Sequence, residues 1–471
     1  MRMFIAGEWM DKEEKINVYN PYDGSVIDTV PRADADDVER ALASAVRGAE
    51  IMRTVPGYER YLMLRKAAQL VEERVEEFAR TITMEEGKII DEARIEASRA
   101  VQILEGSAEE AKRMYGEVIP LDGAPGTGNR FGFTVRVPCG VVACITPFNF
   151  PLHLVCHKVG PAIAGGNSAI IKPATDTPLS ALKLTEVLLE AGLPPEAVQC
   201  VTGLGGEIGD QICRDPRVRK ITFTGSRDVG EHICHVAGLK KVTMELGSNS
   251  PVIIMPDADL EKVAEAVVVT GYSNAGQVCI SAQRIIPMQQ IYGDFLDVLT
   301  PKVEAITTGD PLAEGVRMGP MIREQDAVRV NEWVKEAVAD GAQLVIGGER
   351  SGTMHQPTVV TDVKPTMQVS CNEIFGPAVA VTPIDDINDA IALANDTNYG
   401  LSAGIFTQDI DWALRFVREI DSGNIHINWG PQWRADLMPY GGLKESGFGK
   451  EGPKYALEEM TETKMVVIHT P

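Results

Sequence analysis

Short apolar segments alternate with longer segments of helical character from residue 141 onward, and this alternation restricts the possible folds more than any other feature of the chain. A helix predicted from about 178 to 191 ends at Gly192, a residue type that commonly follows a helix C-terminus. Strands separated by helices of this length form a parallel sheet that is covered on both faces. The pattern therefore predicts an α/β fold, with strands at 141–145, 168–171, 198–201, 220–223 and 242–244.

The rest of the chain divides into regions of different character. From 36 to about 111, apolar residues recur at helical spacing among charged residues. After a Gly-rich segment at 123–128, the alternating residues 131–137 predict a hairpin or arm that stands apart from what precedes it. A second set of strands and helices begins beyond Ser250, with a helix over 260–269 and further units to about 416. A length of 471 residues suggests about two or three domains.

Composition and charge disfavour several classes of protein. The chain has 45 Lys and Arg against 67 Asp and Glu, a formal charge of −22, which disfavours nucleic-acid partners and acidic membrane surfaces. No apolar run approaches the roughly 18 residues of a membrane-spanning helix, and the first residues show no export signal. The eight cysteines form no Cys-x-x-Cys pair, which disfavours a disulfide framework or a zinc site. We therefore expect a cytoplasmic protein without a bound metal.

Cys279 and Glu245 are the first candidates for catalytic residues. Cys279 ends the segment Gly-Gln-Val-Cys in a predicted loop. A single intracellular cysteine is more often a core residue, since a nucleophile needs access and help toward its thiolate. Glu245 ends a predicted strand, where it could cap a helix or pair with a lysine. Because ligands collect at the carboxyl edge of a doubly wound sheet, it is equally well placed to be a general base.

Three further segments follow predicted strands. In 146–151, two prolines stiffen a turn from which Asn149 projects, either as an Asx-type turn or as an amide donor to an oxyanion. Lys172 stands at the tip of the next strand, where dinucleotide folds usually keep a ribose-binding residue. Gly225 and Gly230 lie at the start of a predicted helix, whose backbone amides suit a phosphate, although the pattern is not Gly-x-Gly-x-x-Gly.

Taken together, these segments resemble the NAD(P)-dependent aldehyde dehydrogenase superfamily over essentially the full length of the chain. The matching segments occur in the order of that family: 146–151, 172–174, 223–230, 245–247, 276–279, 373–377 and 439–447. The resemblance implies the aldehyde dehydrogenase fold, with a Rossmann-like parallel-sheet cofactor domain, an α/β catalytic domain and a small β oligomerisation arm. We expect the cofactor domain at 1–118 and 139–247, the catalytic domain at 248–447, and the oligomerisation arm at 119–138 and 455–471.

The resemblance also implies the role of each matching residue. In the family, the cysteine at the position of Cys279 attacks the aldehyde to give a thiohemiacetal, and the amide at Asn149 stabilises the oxyanion. After hydride transfer to the nicotinamide, the glutamate at Glu245 activates the water that hydrolyses the thioester. The expected cofactor is NAD or NADP, and the residues expected to bind it are Lys172, Thr175, Gly225, Ser226, Gly230, Leu246, Glu373 and Phe375.

The cofactor preference stays open at this point. Many NAD-preferring relatives carry a glutamate at the third residue after the lysine, where its charge bonds the ribose and repels a 2′-phosphate. This chain has Thr175 there, which neither repels nor attracts a phosphate strongly. The next residue, Asp176, could restore some discrimination.

The substrate is inferred from one branch of the family. The segments 271–281, 432–436 and 452–461 look like those of lactaldehyde, non-phosphorylating glyceraldehyde-3-phosphate and phosphonoacetaldehyde dehydrogenases. Relatives that use phosphates or phosphonates place an arginine before the nucleophile, but this chain has Val278. That residue disfavours a phosphorylated substrate and favours a small hydroxy- or carboxy-aldehyde. A lactaldehyde-like substrate is expected, with succinate semialdehyde or glyceraldehyde 3-phosphate as the alternatives. Arg434 is either an anion clamp or a surface or interface arginine.

Other interpretations concern the histidines, the reaction and the assembly. His153 and His157 are expected to be packing residues or helix-face residues rather than catalytic ones. A coenzyme A-acylating enzyme usually lacks the carboxylate found here at Glu245, and a catalytically silent binding protein tends to lose the thiol or the amide.

Because the apolar strands of the arm would otherwise expose an edge, we expect a homodimer or homotetramer that acts on a small aldehyde.

Overall fold

Two large sheets dominate the structure, a computed structural model that describes residues 1–470. Five consecutive strands of the first sheet are parallel, and the strands that flank these five on either side, Met3–Ile5 and Gly447–Phe448, are antiparallel to them. In spatial order these strands are Glu8–Met10, Met3–Ile5, Val198–Cys200, Ser168–Lys172, Val141–Ile145, Val218–Thr224, Lys241–Glu245 and Gly447–Phe448.

Helices cover both faces of this sheet, as the apolar character of its strands requires. In the strand Val141–Ile145, Val142 and Cys144 belong to one buried apolar cluster, whereas Ala143 and Ile145 belong to another on the opposite face. The surrounding helices are Ala35–Thr54, Gly57–Glu73, Val75–Glu86, Ile90–Ala111, His153–Ala164, Leu179–Glu190, Asp210–Arg214 and Arg227–Ala237.

The second sheet has seven strands, of which all but one edge strand run parallel. In spatial order they are Gln343–Ile346, Thr358–Thr361, Ala378–Val381, Arg284–Pro287, Pro251–Ile254, Ser402–Phe406 and Asn424–Ile427. Its helices are Leu260–Tyr272, Tyr292–Glu304, Glu324–Ala339, Gln368–Cys371, Ile387–Asn395 and Ile410–Glu419, and a last helix, Pro453–Glu459, packs on the first unit.

A separate three-stranded sheet forms the arm. Arg130–Pro138 is its middle strand, between Val118–Ile119 and the C-terminal strand Thr461–His469. Short pairs elsewhere are Lys15–Tyr19 with Val26–Pro31, Arg350–Ser351 with Met354–His355, and Tyr399–Gly400 with Leu443–Lys444. Across residues 1–470, we find no helix that combines the length and the apolar character needed to span a membrane.

The predicted strands occur within one or two residues of their expected positions, but the helical region 36–111 consists of four helices. Pro56 precedes the second helix, and Gly87 ends the third with a left-handed φ of 86° that favours glycine. Gly447, the last residue of the expected catalytic region, pairs with Glu245 in the first sheet, so this region reaches the expected cofactor region. The domain boundaries stay a prediction.

Candidate active site

A cavity of about 360 Å³ lies at the carboxyl edge of the first sheet, and both Cys279 and Glu245 line it. Cys279 follows a turn in which Asn274 and Ala275 adopt left-handed φ values of 50° and 52°. Such conformations persist only where the surroundings hold them. Here the Glu92 carboxylate accepts a 3.0 Å hydrogen bond from the Asn274 backbone N–H. The loop that carries the thiol is therefore fixed by a buried acid.

The Cys279 side chain is half-buried, and its sulfur lies 3.2 Å from the Tyr440 hydroxyl. Burial raises the pKa of the thiol to about 12, and the negative charges of Glu245 and Glu373 act in the same direction. The hydrogen bond from Tyr440 opposes this shift, because it favours the thiolate. The thiol is thus protonated at rest and has one neighbour that helps it to ionise.

Asn149 lies against the loop that carries the thiol. Its Nδ2 donates to the Gln277 carbonyl at 2.8 Å, which uses one of its two N–H groups. The backbone carbonyl of Asn149 accepts a 2.7 Å hydrogen bond from the buried ammonium group of Lys88, and this bond fixes the turn from which the side-chain amide projects. The second N–H of the amide is available to a bound group.

Glu245 ends the strand Lys241–Glu245, and its side chain is buried. Neither of its carboxylate oxygens has a hydrogen-bond partner among residues 1–470. Burial raises the pKa of Glu245 well above its usual value, and the negative charge of Glu451 adds to the shift. Burial and the charge of Glu451 therefore favour the neutral carboxyl group, which lines the cavity and makes no hydrogen bond within residues 1–470.

Arg434 lies in the cavity wall, with its side chain only 6% exposed, and is not a surface residue. Its Nη1 donates to Glu451 Oε2 at 3.1 Å and its Nη2 to His157 Nδ1 at 3.1 Å. The guanidinium group stands 4.0 Å from the centroid of the Tyr440 ring. Its Nε is buried and lacks a partner in the described part of the chain. A buried cation with an unpartnered nitrogen therefore belongs to the wall of the cavity that also contains the thiol.

His153 and His157 lie one turn apart on the helix His153–Ala164 and, as expected for packing residues, both are buried. Their Nε2 atoms lie 2.9 Å and 3.4 Å from Asp436 Oδ1. This group of three is compact enough to hold a metal ion. However, the guanidinium groups of Arg99 and Arg434 already occupy Asp436 and His157, and their charge opposes a cation.

The expected cofactor residues lie along the same edge of the first sheet. The Lys172 ammonium group is buried and donates to the Pro173 carbonyl at 2.9 Å, which leaves N–H groups without an acceptor among residues 1–470. Burial lowers the pKa of Lys172 to about 8. These free donors fit ribose hydroxyl groups. Glu373 accepts from the Ser248 N–H at 2.8 Å, and burial raises its pKa to about 7.

The expected phosphate segment lies at the start of the helix Arg227–Ala237. Ser226 is its exposed N-terminal cap residue but makes no side-chain capping bond, so the first backbone N–H groups stay open. A Cβ on Gly230 would lie 2.4 Å from Leu246, which shows that this leucine packs directly on the helix. Gly225 donates its N–H to the Glu245 carbonyl at 3.1 Å and so ties this segment to the catalytic strand.

Thr175 and its neighbours show how the ribose end is arranged. The Thr175 hydroxyl donates to the Gly203 carbonyl at 3.2 Å. Asp176 forms an ion pair with Arg323, a residue 147 positions further along the chain. Phe375 has a left-handed φ of 45° and packs edge-on against Phe148, with 5.9 Å between ring centroids. The charge of Asp176 is therefore already compensated.

The sequence interpretation missed several cavity residues. They are charged or polar groups, most of which have a partner far away in the chain. Lys88, Glu92, Glu96, Arg99, Tyr440 and Glu451 line the cavity, and Lys158 and Asp436 lie behind it as partners of lining residues. Lys158 was the one detectable signal, because it is a lysine within an otherwise mostly apolar helix. Its Nζ donates to Glu451 at 2.8 Å and to Thr224 at 2.7 Å.

Comparison with known proteins agrees with this geometry. The model of the aldehyde dehydrogenase family matches residues 9–466. The chain is 49% identical to 3-sulfolactaldehyde dehydrogenase of Priestia aryabhattai over 467 residues, which cover 99% of this chain and 98% of that protein. It is 38% identical to lactaldehyde dehydrogenase of Methanococcus vannielii over 471 residues, with 99% and 100% covered.

A solved structure gives the same result for the fold. Aldehyde dehydrogenase 21 from Physcomitrella patens, in complex with the reaction product succinate, superposes with a TM-score of 0.97 and 39% identity, covering 99% of this chain and 98% of the other. The predicted family, α/β fold and enzyme class are thereby confirmed. The chain belongs to the aldehyde dehydrogenase family and is an oxidoreductase that oxidises aldehydes with NAD or NADP.

Proposed function

We propose that this enzyme oxidises a small 2-hydroxyaldehyde that carries one negative charge, of the type of 3-sulfolactaldehyde, to the corresponding acid. The observation that carries this proposal is Arg434, a buried cation with an unpartnered Nε in the same cavity as Cys279. A guanidinium group suits a sulfonate or carboxylate. The proposal keeps the lactaldehyde skeleton favoured by the sequence and adds an anionic group to it. A relative at 49% identity is named for such an aldehyde.

The charge of the cavity wall supports a monoanion. Four cationic side chains line or back the wall: Lys88, Arg99, Lys158 and Arg434. Three carboxylates pair with them at 2.5 to 3.1 Å: Glu96, Asp436 and Glu451. Burial raises the pKa of the remaining two acids, Glu92 and Glu245. Of the four cations, Arg434 has a buried nitrogen without a partner in the described part of the chain, and we expect it to hold one anionic group.

Val278 supports a sulfonate or carboxylate over a phosphate. It is a buried apolar residue in the cavity lining, next to the nucleophile, and offers no second positive charge there. A doubly charged phosphate would leave one negative charge uncompensated in this wall, which is costly in a buried site. Glyceraldehyde 3-phosphate is therefore a weaker candidate than succinate semialdehyde, and both are weaker than a sulfonated or carboxylated hydroxyaldehyde.

The catalytic roles expected from the family resemblance form part of this proposal. The Cys279 thiolate attacks the aldehyde carbon, while the free N–H of the Asn149 amide and the Cys279 backbone N–H stabilise the oxyanion. NAD(P)⁺, when bound, accepts the hydride. The resulting thioester is hydrolysed by water that Glu245 deprotonates once it has itself lost its proton. Retention of all three groups argues against a silent binding protein, and Glu245 argues against transfer to coenzyme A.

The cofactor and assembly assignments are proposed on similar grounds. Lys172, Thr175 and Leu246 would hold the adenosine half, with Gly225, Ser226 and Gly230 at the pyrophosphate and Glu373 and Phe375 at the nicotinamide ribose. Residues 1–118 and 139–247 would form the cofactor domain and 248–447 the catalytic domain. The arm, 119–138 and 455–471, would join subunits into a homodimer or homotetramer, because it exposes the apolar residues Phe131, Met465, Val467 and Ile468.

A panel of aldehydes tests the proposed substrate. The catalytic efficiency kcat/KM is measured with NAD and with NADP for 3-sulfolactaldehyde, lactaldehyde, succinate semialdehyde and glyceraldehyde 3-phosphate. We expect 3-sulfolactaldehyde to exceed lactaldehyde by about tenfold or more, the effect of one charge-assisted hydrogen bond. Equal or better use of neutral lactaldehyde would exclude the anionic substrate. Acid formation without coenzyme A is expected, and a requirement for it would assign the acylating reaction instead.

A further inference from the structure

We propose that His157 is a positioning residue, which holds the Arg434 guanidinium group in the orientation that binds the anionic end of the substrate. This inference rests on the proposed function, since it assigns a second residue to the same anion site. The supporting contact is the 3.1 Å hydrogen bond from Arg434 Nη2 to His157 Nδ1, between residues 277 positions apart. The His157 side chain is fully buried, so the contact is shielded from solvent.

The hydrogen bonds determine the tautomer of His157. An arginine side chain can only donate, so Nδ1 must be the nitrogen without a proton. In the neutral ring Nε2 then carries the proton, and it faces Asp436 Oδ1 at 3.4 Å. Burial and the charge of Arg434 lower the pKa of His157 well below its usual value, which is consistent with the neutral ring. The lone pair of Nδ1 is occupied by Arg434, so the ring is not free to take a proton from the substrate.

The position of the ring is itself fixed from two sides. Asp436, which faces Nε2, is held by Arg99 at 2.7 Å and by His153 at 2.9 Å. The helix that carries His153 and His157 starts against the Glu96 carboxylate, which accepts the backbone N–H groups of Leu152 and His153 at 3.0 and 3.2 Å. The acceptor for Arg434 therefore sits on a rigid support.

The consequence for Arg434 is a fixed orientation. Glu451 accepts a hydrogen bond from Nη1, His157 accepts one from Nη2, and the Tyr440 ring supports one face of the guanidinium group at 4.0 Å. Nε is the one guanidinium nitrogen without a partner in the described part of the chain. Without His157, the guanidinium group can turn toward Glu451 and satisfy its donors there. An anionic substrate would then have to displace an internal ion pair before it could bind, whereas a neutral aldehyde would lose nothing.

Two near-isosteric substitutions separate positioning from packing. In His157→Asn the side-chain oxygen can take the place of Nδ1 and keep the acceptor for Arg434. In His157→Gln the amide extends to the place of Nε2, so the contact with Asp436 is kept and the acceptor for Arg434 is lost. His153→Gln serves as the matched control, because its amide takes the place of His153 Nε2 and keeps the contact with Asp436, and His153 does not contact Arg434.

The readout is KM and kcat for 3-sulfolactaldehyde, or succinate semialdehyde as a second anion, and for neutral lactaldehyde. For His157→Gln we expect KM for the anionic aldehydes to rise by about tenfold or more, with kcat and the KM for lactaldehyde changed by less than about threefold. His157→Asn should restore the anionic KM to within about threefold of wild type. His153→Gln should leave the ratio of anionic to neutral KM unchanged.

The results can overturn the inference without ambiguity. Equal behaviour of the Asn and Gln variants, or the same loss for anionic and neutral aldehydes, would show that His157 is only a packing residue. Arg434→Gln is measured in parallel: if it does not discriminate against anions, the proposed function itself is wrong. If Arg434→Gln discriminates and His157→Gln does not, only the role of His157 is wrong. Thermal unfolding and binding of NAD(P)⁺ identify any variant that fails to fold, and in that case the comparison of His157→Asn with wild type decides.

Discussion

The Cys279 sulfur and the Tyr440 hydroxyl share a 3.2 Å hydrogen bond inside the cavity, although the two residues are 161 positions apart. Burial raises the pKa of the thiol to about 12, even though this bond acts to lower it. The same tyrosine ring supports the Arg434 guanidinium group. Tyr440 therefore links the nucleophile to the proposed anion site.

For Tyr440→Phe we predict slower chemistry with unchanged anion recognition. Loss of the hydroxyl removes the hydrogen bond that favours the thiolate, so the thiol pKa rises and alkylation of Cys279 by iodoacetamide shifts to higher pH. The value of kcat at pH 7 should fall by about tenfold, in line with a hydrogen bond to a charged group. The ring remains beneath Arg434, so KM for an anionic aldehyde should stay as in wild type. An unchanged pH profile of alkylation would refute this role.

Removal of the nucleophile should separate binding from chemistry. We predict that Cys279→Ala has no measurable dehydrogenase activity but binds NAD(P)⁺ with nearly wild-type affinity in a calorimetric titration. Cys371→Ala is the matched control, because Cys371 is exposed and lies outside the cavity. It should retain full activity. Residual turnover in Cys279→Ala would assign the nucleophile to another group, and loss of nucleotide binding would indicate misfolding.

Glu245→Gln should stop the reaction after the first half. The glutamine fills the same space but cannot accept a proton from water, so hydride transfer proceeds once and the thioester accumulates. Stopped-flow absorbance should show a burst of about one NAD(P)H per subunit, followed by a steady state that is about 100-fold slower than in wild type. A steady-state rate equal to that of wild type would exclude Glu245 as the base.

The pH dependence of thioester hydrolysis should follow the raised pKa of Glu245. Because the base acts only when ionised, the raised pKa means that the hydrolysis rate rises at a higher pH than it would with an ordinary glutamate as base. In Glu451→Gln the negative charge that opposes this ionisation is removed, while Lys158 and Arg434 remain. The ascending limb of the single-turnover profile should then move to lower pH. An ascending limb that stays at the same pH, or moves to higher pH, would show that the charge of Glu451 does not raise the pKa of Glu245.

Much of the architecture could be predicted because its causes are local. A strand such as Val141–Ile145 is apolar on both faces, and the alternation of its residues between two cores is the packing that a parallel sheet requires. The candidate nucleophile, base and amide each follow a recognisable strand end or turn. Local chemistry was therefore sufficient to nominate these side chains.

The surroundings of these side chains could not be predicted, because they depend on pairs that only the complete fold brings together. Lys158 and Glu451 are 293 residues apart, and Arg434 meets His157 across 277. Whether Arg434 is an anion clamp or a surface residue depends on its burial, which no nearby residue indicates. The raised pKa of Glu245 likewise comes from desolvation and from Glu451, both of which are consequences of tertiary packing.

The ion pair between Asp176 and Arg323 leads to a last prediction, on the choice between NAD and NADP. Asp176 follows Thr175, the position expected at the adenosine ribose, and Arg323 now compensates its charge. In Arg323→Ala the carboxylate becomes free and should repel a 2′-phosphate, so that KM for NADP rises by about tenfold while KM for NAD changes little. In the double variant Arg323→Ala/Asp176→Asn the repulsion is absent, and KM for NADP should return toward wild type. Equal changes for both nucleotides, or no recovery in the double variant, would show that this pair does not act on the 2′-phosphate.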